Sequence, residues 1–300
     1  MTTPHMFTIA ISLKLGRVSN LPTVWSNTLA ATILAGGTAL DWRICILLFA
    51  MTLAYSAGMF LNDAFDRDID AIERPERPIP AGEASAVSVF IVGYTMLLMS
   101  IFLVAMVALA EGGNTRAIIA VFALAGAIIL YNLWHKNNPL SPLLMGLCRM
   151  LVYVTAGWSL GTIENNGLPV NLYFTSLLLF AYLTGLTYTA KQETIGQVSN
   201  LWPLLLLFAP VVFGFYMAMA GNQALWIPTL VLSVWTIYAL WLIHRRQPGD
   251  IQRAVVSMIA GISLLDALFI ASVPDHSQWS ILAIAAFLLT LYLQRHIAGS

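Results

Sequence analysis

Asn62, Asp63, Asp66 and Asp70 are spaced to share one side of a helix. Residues four apart stack on a helical face, which joins Asn62, Asp66 and Asp70, and the three-residue step from Asp66 adds Asp63. Oxygen side chains converging in this way repel one another unless a cation sits among them. Hard oxygen donors suit Mg²⁺, which usually keeps waters and completes its shell with phosphate oxygens. Arg67, Arg74 and Arg77 follow at once, and guanidinium forks match phosphate. Pro75, Pro78 and Pro80 keep the return segment from becoming helix. Seven of the chain's 14 acidic residues lie between positions 62 and 83, a density that a scattered, solvated loop does not explain.

The elements that must carry this segment follow from composition. Of 300 residues, 59% are apolar and only 9% are charged, against about 25% charged in soluble domains. That excludes a soluble enzyme, a disordered chain and a nucleic-acid binder with a basic face. The net charge of zero says nothing about partners. Crossing a bilayer takes about 20 apolar residues per helix, so the pattern predicts an all-α polytopic membrane bundle around a central cavity. Ten spans are expected: Leu21–Leu40, Ile44–Leu61, Ala86–Ala110, Ala117–Trp134, Ser141–Thr162, Leu172–Tyr188, Trp202–Ala220, Ala224–Ile243, Ala254–Val273 and Trp279–Leu293. Nine is the competing count, with one of the last two segments re-entrant or fused. Residues 1–300 form a single unit, and the first 20 read as a short interfacial helix rather than a signal peptide.

Placing the N-terminus in the cytoplasm and alternating puts Lys14, Arg17, Arg67, Arg74, Arg77, Lys136, Lys191, Arg245, Arg246, Arg253 and Arg295 inside. Only Arg43 and Arg116 then lie outside, a strong positive-inside pattern. The polar segments after the second and sixth spans suggest two pseudo-repeated four-helix halves that present loops to the same cytoplasmic side. Cys45 and Cys148 read as small buried hydrophobes.

The acid-rich stretch resembles the first aspartate-rich motif of the UbiA superfamily of intramembrane prenyltransferases. That motif is Asn-x-x-x-Asp-x-x-x-Asp with an Arg-Pro-x-Pro-x-Gly tail, here Asn62, Asp66, Asp70 and Arg77-Pro78-Ile79-Pro80-Ala81-Gly82. The entry Arg17-Val18-Ser19-Asn20-Leu21-Pro22 is similar to the family's first-helix lead-in, and the span pattern agrees over nearly the whole chain. The run Asp66–Ile72 is also similar to that of chlorophyll synthases. The resemblance implies an isoprenyl diphosphate with its head at the cytoplasmic mouth and its tail among the helices. It implies Mg²⁺ held by Asn62, Asp66 and Asp70, and an acceptor, usually aromatic, that captures the allylic cation.

The family's second motif, Asp-x-x-x-Asp after the sixth span, is replaced here by Tyr188-Thr189-Ala190-Lys191-Gln192-Glu193-Thr194-Ile195-Gly196-Gln197. Glu193 with Gln197 keeps the spacing and supplies the only carboxylate. A second register aligns Tyr188, Gln192 and Gly196. Lys191 is either a substitute positive charge for the diphosphate or a membrane-surface anchor.

Two charges lie within spans, where they are costly. Arg149 is about 12 Å and Asp266 about 18 Å from the cytoplasmic ends. They read either as an ion pair or as Arg149 beneath the diphosphate with Asp266 near the acceptor. Asn20 and Asn27 either close the polar chamber or bond across helices.

The expected function is Mg²⁺-dependent prenyl transfer. Asn62, Asp66, Asp70 and Glu193 carry the chemistry, and Asp63 joins them as metal ligands. Arg17, Arg67, Arg74, Arg77, Lys191, Asn27, Arg149 and Tyr188 hold substrate. The partners are a prenyl diphosphate, an acceptor small molecule and the bilayer. The alternatives are a prenyl-lipid-binding relative without turnover and a transporter.

Overall fold

The computed structural model describes residues 8–110, 114–136, 138–162, 167–191 and 202–297. Helices start where short polar side chains or prolines precede apolar runs. Thr8 opens α1 (Ile9–Leu15) by accepting from the Ile11 N–H at 3.3 Å. A three-residue 3₁₀ turn, Val18–Asn20, leads into α2 (Leu21–Leu34), which has Pro22 in its first turn. Asp41 accepts from the Arg43 backbone N–H and Nε, each at 2.9 Å, and opens α3 (Arg43–Phe65). The Arg43 side chain also holds the Asp41 carboxyl below the usual carboxylate range.

The remaining helices are α4 (Arg67–Glu73), α5 (Ala86–Ala110), α6 (Thr115–Trp134), α7 (Ser141–Leu160), α8 (Val170–Lys191), α9 (Ala209–Met219), α10 (Trp226–Arg245), α11 (Asp250–Ala271) and α12 (Ser280–His296). Short 3₁₀ segments lead into α9, α10 and α12.

Among the described residues, nine segments are long and apolar enough to cross a bilayer. The expected first span, Leu21–Leu40, is not one of them. Its helix α2 has 14 residues, about 21 Å, and the chain turns at Gly36 in the left-handed region. Every α2 residue except Trp25 is buried. It packs against α3, α7, α11 and α12 as a central post. Thr23, Ser26, Asn27, Thr28 and Thr32 thus face protein rather than lipid, and in an apolar medium small polar side chains favour such contacts.

Burial sorts the other helices. The α11 span is 83% buried and forms an inner wall, while the spans at α5 and α12 are 28% and 17% buried. Ile91, Leu98 and Phe102 on α5 are exposed, an apolar outer surface suited to lipid. Close approach of α7 to α8 requires Gly146, where a Cβ would lie 2.9 Å from both the Phe180 carbonyl and Thr184 Oγ1. The expectation of two buried cysteines needs correction. Cys45 faces outward, and Cys148 is only partly covered.

Candidate active site

Asn62 and Asp63 sit on the last turn of α3, and Asp66 joins it to α4. The Asp66 N–H donates to the Asn62 carbonyl at 2.9 Å and the Asp70 N–H to the Asp66 carbonyl at 2.8 Å. The four-residue register therefore passes through the junction, although the expected single continuous helix is two. The four side chains are buried together, at 7%, 6%, 5% and 2% exposure for Asn62, Asp63, Asp66 and Asp70.

Cations from three separate segments close on this face. Arg17 Nη2 donates to Asn62 Oδ1 at 3.2 Å and to Asp63 Oδ1 at 3.3 Å. Arg17 holds φ near +42°, rare for a side-chain-bearing residue, and such strain persists only where the surroundings enforce it. Arg77 Nη1 donates to Asp63 Oδ1 at 3.3 Å and Asp70 Oδ2 at 2.6 Å. Asp66 Oδ2 instead faces His135 Nε2 at 3.2 Å and Lys136 Nζ at 3.8 Å, beyond the end of α6. Convergence of all four oxygen groups on one point is thus corrected to a shared pair, Asp63 and Asp70, with Asp66 turned toward α6.

The donor set fits a hard divalent ion. Asp63 and Asp70 reach the same guanidinium nitrogen, so a positive charge already lies between two carboxylates. Among the described residues no three Asp, Glu, His or Cys side chains form a ready-made metal cluster. Mg²⁺ does not need one, because one or two carboxylates with phosphate and water commonly suffice. The Asn62 amide is oriented from behind: its Nδ2 donates to Asn132 Oδ1 at 3.3 Å, and Asn132 Nδ2 donates to the Gly58 carbonyl at 3.2 Å.

A cavity of about 290 Å³ adjoins this rim, with Arg17, Asn20, Arg74 and Asn132 at its polar end. Its deeper walls are mainly apolar and include Met51, Leu124, Val152 and Leu183, with the rings of Tyr55 and Tyr131. Arg149 also lines it. Of the two alternatives for Arg149 and Asp266, the direct ion pair is not formed, and a bridge takes its place. Arg149 Nη1 donates to Asn27 Oδ1 at 2.8 Å, and Asn27 Nδ2 donates to both Asp266 oxygens at 2.9 and 2.8 Å. Asn27 is fully buried between them and presents no face to the cavity, which corrects its expected contact with substrate.

Other expected residues fall elsewhere. Arg67 lies largely in the open beside Asp68. Tyr188 packs against the main apolar core rather than lining the cavity. Lys191 donates to the Asn138 carbonyl at 2.7 Å and Ser141 Oγ at 2.9 Å, tying α8 to the start of α7. Glu193, with Gln192, Gly196 and Gln197, lies outside the described residues. His135, Asn132 and Tyr55 were missed by sequence reasoning. His135 is one residue beyond a span end and carries no ligand spacing, and nothing local marks Asn132 or Tyr55 as facing a chamber.

Residues 23–255 match the profile of the UbiA prenyltransferase family. The chain belongs to that family. The UbiA relatives include a digeranylgeranylglyceryl phosphate synthase of Natronomonas pharaonis, 28% identical, with 57% of this chain and 80% of the relative aligned. A protoheme IX farnesyltransferase of Alkalihalophilus pseudofirmus is 25% identical, over 87% of this chain and 79% of the relative. Among solved structures, a UbiA homologue from Archaeoglobus fulgidus bound to GPP and Mg²⁺ superposes with a TM-score of 0.58 at 14% identity. That match covers 86% of this chain and 99% of the homologue, and it shows a shared fold. As a UbiA prenyltransferase with nine apolar helices among its described residues, the protein is an integral membrane protein.

Proposed function

We propose that this protein transfers an isoprenyl group from a prenyl diphosphate to an acceptor inside the membrane and releases diphosphate, with Mg²⁺ required. The observation that carries this reading is the buried Asn62–Asp70 face, closed by Arg77 and by Arg17, which itself lines the polar end of the adjoining apolar cavity. Asn62, Asp63 and Asp70 would hold Mg²⁺, with Asp66 as the further acidic group of the rim, and Glu193 is the acid that the sequence offers for a second metal site. The ion supplies charge neutralisation to the departing diphosphate.

Arg17, Arg74 and Arg77 grip phosphate oxygens through their forks. Arg77 exchanges its carboxylate partners for phosphate as substrate enters. The apolar walls hold the isoprenyl tail and exclude water from the allylic carbon. The π faces of Tyr55 and Tyr131 favour positive charge developing there. The bond from that carbon to the diphosphate oxygen breaks, the acceptor bonds to the carbon, and the acceptor gives up a proton. The excess of Lys and Arg favours a cytoplasmic side for the acid rim, and the contacts of Arg17 with Asn62 and Asp63 bring the start of α2 to that same side.

Proteoliposomes given a prenyl diphosphate, Mg²⁺ and an acceptor panel test this. The expected result is Mg²⁺-dependent pyrophosphate release that is lost in the Asp66→Ala, Asp70→Ala double variant. Unchanged turnover in that variant would falsify the mechanism. The lack of any aspartate between Tyr188 and Asn200 favours one other reading, a prenyl-lipid binder without turnover. It predicts prenyl diphosphate binding with no product on any acceptor.

A further inference from the structure

Arg149 is an intramembrane cation. Among the described residues no acidic oxygen lies within ion-pair distance of it. Its two hydrogen bonds go to neutral oxygens, Asn27 Oδ1 at 2.8 Å and Thr23 Oγ1 at 3.1 Å. The charge that balances it, Asp266, is fully buried one residue further back. Asp266 is already satisfied by Ser26 Oγ at 2.5 Å, by both Asn27 contacts and by the Tyr153 hydroxyl. A purely structural pair would put the two charges in contact, because that offsets the cost of burying each. Here the Asn27 amide holds them apart and fixes the guanidinium from behind. A guanidinium has five N–H donors, and this one borders the cavity.

Its depth matters. The Arg149 guanidinium carbon lies 5.5 Å from the centre of the Tyr55 ring. The Tyr55 hydroxyl itself reaches back to the Arg17 carbonyl at 3.5 Å, whereas Asn27, which holds the guanidinium, is six residues beyond the start of α2 at Leu21, about 9 Å along the helix axis. A donor whose head is gripped at the rim would leave this depth to its allylic carbon and to the acceptor set against it.

Resting on the prenyltransferase reading above, we infer that Arg149 is the docking group for an acceptor that carries an anionic substituent, a carboxylate or a phosphate. Asn27 and Asp266 are its positioning residues. The guanidinium fork accepts two oxygens of such a group. The acceptor's nucleophilic end is thereby aimed toward the rim.

Binding of radiolabelled benzoate and of its neutral counterpart benzamide to the purified protein, in EDTA, tests this apart from turnover. Wild type should prefer benzoate by about tenfold or more, the scale of a charge-assisted hydrogen bond. Arg149→Gln should bring the two affinities together, and Asn27→Ala and Asp266→Asn should shrink the ratio. Phenyl phosphate in a parallel arm tells a phosphate-bearing acceptor from a carboxylate-bearing one. Should Arg149→Gln fail to fold, Arg149→Lys keeps the charge without the fork and should lower the preference. Equal affinity for benzoate and benzamide in wild type, or a ratio unmoved by either Arg149 variant, overturns the assignment. So does an equal loss of geranyl diphosphate binding in Arg149→Gln, because Arg149 would then belong to the donor site. If wild type retains no geranyl diphosphate, the prenyltransferase reading fails while the benzoate result stands by itself.

Discussion

Arg77 places one guanidinium nitrogen between Asp63 and Asp70, with its side chain 13% exposed and that of Asp70 3% exposed. Removing one member of a buried ion pair leaves the other charge uncompensated and costs about 3 kcal/mol or more. Arg77→Gln should therefore lower the melting temperature in EDTA. Mg²⁺ should restore more stability to this variant than to wild type, since a ligand bound only by the folded state stabilises it. A melting curve indifferent to Mg²⁺ in both proteins would contradict the metal assignment. The spacing of Asn62, Asp66 and Asp70 was legible because a helical face depends only on local periodicity. Which cation meets which acid was not. Arg17 comes from 45 residues before Asn62, and His135 arrives from the far end of α6. Asp66 turns toward that arriving side chain and the neighbouring Lys136, and no local pattern announces it.

At the scale of elements, α7 carries Arg149 and α2 carries the residues that hold it. The separation of α7 and α8 is set at Gly146, which has no room for a Cβ beside the Phe180 carbonyl. Gly146→Ala should cost about 1–3 kcal/mol by overpacking, read as a lower melting temperature. It should also weaken any binding that depends on Arg149, one turn further along α7. A fully stable variant would mean that the helices part easily there. The apolar run from Leu21 to Leu40 suggested a full span because hydropathy averages over all faces. The structure separates them: the polar positions of α2 meet α7 and α11, and the helix stops at Leu34. By contrast α5, with few of its residues buried, matched its expected bounds of Ala86–Ala110.

For the whole molecule, the bundle gives the acid rim to one side and the short loop before α3 to the other. Cysteine labelling reads the orientation. With Cys45→Ser and Cys148→Ala as background, Ile72→Cys and Leu40→Cys place thiols at positions that are 85% and 77% exposed. A membrane-impermeant maleimide should label the Ile72 position only in inside-out vesicles and the Leu40 position only in intact cells. The reverse pattern would put the rim outside. Membrane class and a count of nine or ten spans were legible from composition, whereas the chamber was not, because its walls are assembled from six helices far apart in sequence. Retention of geranyl diphosphate by the purified protein, with Mg²⁺ and then with EDTA, measures the grip of the rim most directly. Wild type should hold the ligand only with Mg²⁺, and the Asp63→Asn, Asp70→Asn double variant should not hold it in either condition. Equal retention by both proteins regardless of metal would show that the acid face plays no part in substrate binding.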